Sequence, residues 1–260
     1  VDGLGTLLRQ WRTTRRLSQQ ALSEQAEISP RHLSCLETGR ARPSREMVLV
    51  LASALEVPLR ERNTLLLAAG YAPAYRETDL SAPDLAPARR ALEHLLRGAE
   101  PYGAVVMNRR WELVMANRPF RALAGLVLGR ELAIGENLLA LTIDPAALGR
   151  VILDRDTVTR GLLHRLHRDA TATADPELSA LLETLERLPG VPTDWRREGF
   201  TRTPPITMTV SMQLGDQVLS LFTTLTTLGT ATDVSLAELH LEHYFPADAA
   251  SEAVLRTFFT

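Results

Sequence analysis

Residues Leu17–Gly39 read LSQQALSEQAEISPRHLSCLETG. Two short helical patterns meet here at a tight turn, and Arg40 and Arg42 follow the second. Ser18 can cap the first helix, because its hydroxyl can accept from the free N–H groups of the opening turn. Leu22 and Ala26 give that helix an inward side. Ser29 is a second cap, and Pro30 follows at the first helical position, where a missing N–H costs nothing. Leu33 and Leu36, three apart, point one stripe at a core. The opposite side then carries Arg31, Ser34, Cys35 and Thr38, with His32 on the flank. A helix held along one stripe and studded with small polar groups and an arginine suits the edges of base pairs. Arg31 can donate two parallel hydrogen bonds to a guanine. Gln19 and Gln20 open the first helix, where side chains and backbone N–H groups can both reach a phosphate.

The flanking sequence completes five helices. Leu4, Leu7, Leu8 and Trp11 recur at helical spacing upstream. Gly39 can end the second helix of the pair. Ser44 caps a helix carrying Met47, Val48, Leu51, Ala52 and Leu55, and a last one runs from near Pro58 to Gly70. The L-S-Q start at Leu17–Gln19, the S-P-R-H run at Ser29–His32 and the L-E-x-G close at Leu36–Gly39 resemble the phage-repressor-like helix-turn-helix family, often called XRE, over roughly residues 4–70. That resemblance implies an ion pair between Arg12 and Glu37 that is structural rather than DNA-reading. Arg31, Ser34 and Cys35 are then the candidates for reading bases and Gln19, His32, Arg40 and Arg42 mainly for holding phosphates, with Gln20 and Ser29 also counted among the DNA-binding residues. Glu27 departs from the family, which places glycine in the turn, so a left-handed backbone is expected there at some cost. Cys35 is a weak hydrogen-bonding choice for its position.

The 260 residues suit two domains. No apolar run reaches transmembrane length and the start is not a signal peptide, so no membrane association is expected. Cys35 is the single cysteine, which excludes an intrachain disulfide and fits a cytoplasmic setting. Residues 1–45 hold eight arginines against four acids, while the remaining residues hold twenty-one against twenty-seven. A basic module on an acidic body is expected where one part meets phosphate and the other does not.

Residues 72–87, with three prolines and several small or polar residues, read as a linker. Ala88 to Gly98 gives a helix with Leu92, Leu95 and Leu96 on one side. From Gly103 the period changes: GAVVMN and WELVMAN are short apolar runs separated at Asn108-Arg109-Arg110, as in a hairpin. Asn117 can cap the helix RPFRALAG. The middle, from about Asp144 to Leu188, reads as helical, with Val158, Leu162, Leu163 and Leu166 on one stripe. From Ile206 to Leu214 apolar and polar residues alternate, a period-2 strand, and Gly215-Asp216 turns the chain back through Val218–Leu228. A further strand is expected between Leu236 and Phe245, then a terminal helix.

Two strands, a helical excursion and three more strands is the order of a PAS-like domain, an antiparallel sheet packed against helices that often encloses a cavity. The predicted fold class is therefore an all-α five-helix helix-turn-helix domain (1–71), a linker (72–87) and an α+β PAS-like domain for ligand binding and dimerisation (88–260). PYGAVVMNRRWELVMAN at Pro101–Asn117 and TTLGTATDVSLAELHLEHYFPAD at Thr226–Asp248 resemble the MmyB-like transcription regulators, which join these two modules. The resemblance implies a cytoplasmic bacterial regulator, a homodimer on double-stranded DNA with a pseudo-palindromic operator, and a PAS-like domain that accepts long apolar molecules such as fatty acids. Met107, Met115, Met208 and Met212 fall on predicted strands and, with Val210 and Leu221, are the candidate pocket, since methionine adapts to irregular apolar partners. The same residues would serve a packed core. A fatty carboxylate would want an arginine or hydroxyl nearby, for which Arg118, Trp195, Arg196 and several threonines are candidates.

Two other roles for the PAS-like part stay open: a ligand-free dimerisation or protein-docking domain, and a haem sensor. His164 and His167 invite the latter, but helical geometry turns both away from the Val158–Leu166 stripe. His240 and His243, at odd spacing on a strand, fall on opposite faces and cannot share a metal. No phosphate loop, nucleophile elbow or zinc-hydrolase motif appears, so no enzyme, catalytic residue, metal or required cofactor is expected.

Overall fold

The computed structural model describes residues 3–198 and 209–259. The chain forms two compact units, one built mainly from residues up to 78 and the other mainly from residue 79 onward.

Among its described residues up to 78 the first unit holds five helices, α1 (Leu4–Thr14), α2 (Gln19–Gln25), α3 (Pro30–Glu37), α4 (Arg45–Ala54) and α5 (Leu59–Ala68). Their apolar stripes meet in one core: Leu8, Leu22, Leu33, Val48, Leu51, Leu55, Leu65 and Leu66 are fully buried, and Trp11 and Leu36 nearly so. Three serines start helices as the sequence predicts. Ser18 Oγ accepts from Ala21 N at 3.0 Å, Ser29 Oγ from His32 N at 3.1 Å and Ser44 Oγ from Met47 N at 3.2 Å. Glu27 turns the chain between α2 and α3 in the left-handed region, at φ 53°. Residues 74–77, inside the stretch predicted as linker, are laid along α5. Asn63 Oδ1 accepts from the backbone N–H groups of Ala74 and Tyr75, and Arg60 pairs with Glu77.

From residue 86 the order is α6 (Ala86–Gly98), β1 (Gly103–Met107), β2 (Leu113–Ala116), α7 (Arg118–Leu128), α8 (Leu138–Ile143), α9 (Arg155–Thr173), α10 (Pro176–Glu186), α11 (Trp195–Glu198), β3 (Thr209–Leu214), β4 (Gln217–Thr227), α12 (Val234–Ala237), β5 (His240–Pro246) and α13 (Ala249–Phe259). The five strands form one antiparallel sheet in the order β2-β1-β5-β4-β3. Two expectations shift. The stretch 144–154 holds a short 3-10 turn at Leu148–Val151 rather than continuous helix, and Gly149 allows it, because a Cβ there would lie 2.6 Å from the Asp144 carbonyl oxygen. The last strand begins at His240, with the residues before it coiled into α12. The start of the Ile206 strand, including Met208, lies outside the described residues.

Register fixes which side chains share a face, since directly opposed residues of an antiparallel pair point the same way. Gly103 opposes Tyr244 and Val105 opposes Glu242. Thr223 opposes Tyr244, and Leu221 opposes Val210. These residues form the face toward α7, α8, α9 and α13. His240 opposes Met107 and His243 opposes Ala104, so the two histidines lie on opposite faces.

Asn117 joins three pieces of this unit. Its Oδ1 accepts from Phe120 N at 3.1 Å, capping α7, and from Ala104 N at 3.0 Å. Its Nδ2 donates to Leu96 O at 3.1 Å and Tyr102 O at 2.8 Å. The side chain is buried, so these bonds replace water it has given up.

Candidate nucleic-acid interface and ligand cavity

In the first unit, α3 is fixed from behind by Leu33 and Leu36 and from its end by an ion pair. Arg12 Nε reaches Glu37 Oε1 at 2.6 Å and Nη2 reaches Oε2 at 3.0 Å, in the two-pronged geometry a guanidinium offers a carboxylate. Burial alone would push the Glu37 carboxyl up. The hydrogen bonds from Arg12 and Gln19, with the Arg12 charge, outweigh it and hold the carboxyl below its usual range. The hydrogen bond to Glu37 outweighs burial for Arg12 too and raises its pKa. Gly5 of α1 lies against this end of α3: a Cβ there would meet the Glu37 carbonyl oxygen at 2.4 Å and that of Leu36 at 2.7 Å.

With α3 seated this way, Arg31 is exposed, and Ser34 and Cys35 are partly exposed on the same helix. Arg40 and Arg42 are exposed just past it, after Gly39 has closed the helix at φ 71°. His32 is partly exposed. Ser29 spends its hydroxyl on the cap. Gln20 donates to Glu24, and Gln19 donates to Glu37 Oε2 at 2.8 Å, so in this structure both glutamine side chains are engaged within the domain.

The second unit holds a cavity between the sheet and its helices, with a volume of about 120 Å³. One water needs roughly 10–15 Å³ on that measure. The sheet supplies Val210, Met212, Leu221, Thr223, Glu242 and Tyr244. Phe120, Leu123 and Ala124 of α7, Leu138 and Thr142 of α8, Val158 and Leu162 of α9 and Leu255 of α13 close the other sides. Val210, Met212 and Leu221, predicted from alternation alone, line it. Met115 does not: it opposes Val106, on the face away from the cavity. Met107 shares the cavity's face but opposes His240, beyond Glu242, and packs fully buried outside the lining. Neither Arg118, Trp195 nor Arg196 lines the cavity; Trp195 Nε1 donates to Glu186 and Arg196 pairs with the same carboxylate.

Of the polar part of the lining, the sequence leads one to expect threonines without singling any out, whereas Glu242 and Tyr244 carry no sequence signal. Among the described residues that line the cavity, only Thr142, Thr223, Glu242 and Tyr244 carry side-chain oxygen, and none carries side-chain nitrogen. Glu242 is 7% exposed. Its Oε2 accepts from the Tyr244 hydroxyl at 3.4 Å, and its Oε1 lies 3.7 Å from Arg165 Nη1. Arg165 in turn lies over the Trp111 ring, 4.2 Å from its centroid. Trp111 holds that ring in place from a left-handed backbone, φ 63°, set by the Asn108 turn. Burial, with the Glu242 charge and hydrogen bond adding to it, holds the Tyr244 hydroxyl well above the ordinary tyrosine range. His164 and His167 of α9 stack edge-on against Trp195, and neither borders the cavity.

Residues 88–258 match the MmyB-like transcription regulator ligand binding domain, and residues 4–65 match a helix-turn-helix domain. The chain belongs to the MmyB-like transcription regulators. A helix-turn-helix domain joined to an MmyB-like ligand-binding domain is the architecture of a DNA-binding transcription regulator with a ligand-sensing domain. No curated protein matches this MmyB-like chain. Among solved structures it is similar to a variant of RsLOV at 14% identity and TM-score 0.31, covering 64% of this chain and 75% of that one. It is also similar to an RNA-binding light-oxygen-voltage receptor at 16% identity and TM-score 0.29, covering 95% of this chain and 59% of the receptor, under two thirds of its length. Among the described residues, no helix is long and apolar enough to cross a membrane, and no group of three or more His, Cys, Asp or Glu could hold a metal.

Proposed function

We propose that this MmyB-like regulator reads a pseudo-palindromic operator as a homodimer and changes its DNA affinity when a small apolar ligand of the fatty-acid type, a hydrocarbon with one polar end, fills the cavity. The observation that carries the DNA half is the exposed side of α3, where Arg31, Ser34 and Cys35 stand opposite the buried Leu33 and Leu36. Arg31, Ser34 and Cys35 meet base edges. His32, Arg40 and Arg42 meet phosphates, with Ser29, Gln19 and Gln20 near the backbone of the duplex. Two copies of α3 would enter successive major grooves about 34 Å apart. The chain acts in the cytoplasm without enzymatic chemistry.

The cavity supports the sensing half: it is lined by four helices and a sheet, and mostly apolar. A ligand there shifts the equilibrium between two arrangements of the dimer only by its difference in affinity for them. Selection of bound duplexes from a random pool tests the reading. It predicts an inverted-repeat consensus that loses one base preference in Arg31→Ala. Enrichment of no sequence, or a consensus unmoved by Arg31→Ala, contradicts it.

A further inference from the structure

The helix α9 lines the cavity with its first half and ends in the first unit. Val158 and Leu162 face the cavity, and Leu163 and Leu166 are fully buried. Arg165, about one turn past Leu162, lies over the Trp111 ring and 3.7 Å from Glu242. The helix runs unbroken to Thr173, yet residues 170–175 belong to the first unit. Within that unit Arg15, just past the end of α1, gathers three backbone carbonyls. Its Nε donates to Leu55 O at 2.9 Å and its Nη2 to Glu56 O at 3.0 Å, at the end of α4. Its Nη1 donates to Ala172 O at 3.4 Å, in the last turn of α9. A cation suits both places, because the last carbonyls of a helix have no partner within it and carry the negative end of its dipole. Arg15 follows Arg12 on the same helix end, and Arg12 holds Glu37 at the end of α3.

We propose that α9 carries the state of the cavity to α3, and that Arg15 is where α1 receives it. This rests on the cavity being the ligand site. Leu162 and Ala172 are joined by about 15 Å of continuous helix. Each turn of that helix is tied to the next by backbone hydrogen bonds, so a displacement at Leu162 reaches Ala172. An occupant that pushes on Val158 and Leu162 therefore moves a carbonyl that Arg15 holds. The guanidinium either follows, carrying α1 with Arg12 and Glu37, or lets go of α9. In both cases the empty and filled cavities differ in how the end of α3 is held. That difference is what couples a ligand to the affinity for DNA.

Sodium decanoate and the duplex enriched by selection test this on the full chain. Affinity for the duplex is measured by fluorescence anisotropy with and without saturating decanoate, in the wild type, Arg15→Ala and Arg15→Gln. Decanoate should change the wild-type affinity by about fivefold or more, and that of either variant by less than about twofold. Each variant should bind decanoate alone, and the duplex alone, within about threefold of wild type. Amide exchange of the wild-type chain needs no substitution, so it decides even where a variant fails to fold. Decanoate should change exchange by about threefold or more at residues 170–173 and 13–17 as well as around the cavity. A decanoate effect that survives both Arg15 substitutions overturns the inference and moves the transmission to the other late segment of the first unit, 230–237. An exchange response that stops before Ala170 overturns it too. If decanoate leaves wild-type affinity for the duplex unchanged, the sensing function itself fails, and the inference falls with that reading.

Discussion

Arg12 on the first helix holds Glu37 on the third through two hydrogen bonds, 2.6 and 3.0 Å long, with the carboxylate side chain only 2% exposed. The pair is 25 residues apart in sequence and fixes the end of α3. Removing one partner of such a pair leaves the other charge buried and uncompensated. Arg12→Ala should therefore lower stability by about 3 kcal/mol, read by urea unfolding of the full chain near neutral pH. Because Glu37 is held below its usual range, its contribution is present above the unfolded carboxyl value and is lost as pH falls through the lower folded value. The gap between wild type and Arg12→Met should close as the melts are carried into acid. An unchanged gap would mean that the pair does not supply the stability.

Arg40 and Arg42 project past α3 with no base-reading geometry required of them. Changing either to glutamine should weaken binding about uniformly across operator sequences and flatten the slope of log affinity against log salt by roughly one. A changed consensus, rather than a changed slope, would assign them to base reading instead.

Gly5 sits where a methyl would lie within 3 Å of two backbone carbonyls of α3. Gly5→Ala should cost about 1–3 kcal/mol through overpacking, and should loosen operator binding beyond that cost because α3 itself must shift. Gly3→Ala, where nothing stands within 4 Å of the new atom, is the control and should do neither.

Asn117 makes four hydrogen bonds from a buried amide, tying α6, β1 and α7 together. Asn117→Ala should destabilise the sheet-bearing unit by about 2–4 kcal/mol, measured as amide exchange that quickens at Ala104 and Phe120 while α1–α5 keep their protection. Equal loss of protection throughout the chain would contradict a local role.

Tyr244 should resist ionisation. Its hydroxyl is held well above the ordinary range, so the folded state keeps a proton that the unfolded chain releases near pH 10. That contribution is fully present below about pH 10 and is lost as pH rises from there toward the folded value. Ultraviolet titration should show one of the four tyrosines ionising only with unfolding, and Tyr244→Phe should abolish that late step. A late step that persists in Tyr244→Phe belongs to another tyrosine.

The helical domain was readable because each local signal agreed with the next. Ser18, Ser29 and Ser44 cap where a serine before an apolar stripe should cap, and Leu33 and Leu36 bury the side that leaves Arg31 exposed. The sheet was readable from the same kind of regularity: alternation marked Val210 and Met212 for one face. What alternation cannot supply is which face of a neighbouring strand joins it. Met115 went to the far side because its register is set by Val106 across the hairpin, a pairing that depends on the Asn108 turn. Glu242 was invisible for the same reason. A glutamate in a strand beside two histidines reads as a solvated position until β1 and β4 close on both sides of it. Arg165 and Trp111 are 54 residues apart, and only the left-handed backbone at Trp111 turns that ring beneath the guanidinium.

The cavity takes its walls from Gly103 at the start of the sheet and from Leu255, a few residues before the end of the chain. A guest molecule there would bridge opposite extremities of the domain's sequence, like a pin through both halves of a hinge. Its arrival would be felt at α13 as well as at the first strand, so a spectroscopic label on α13 would report on occupancy.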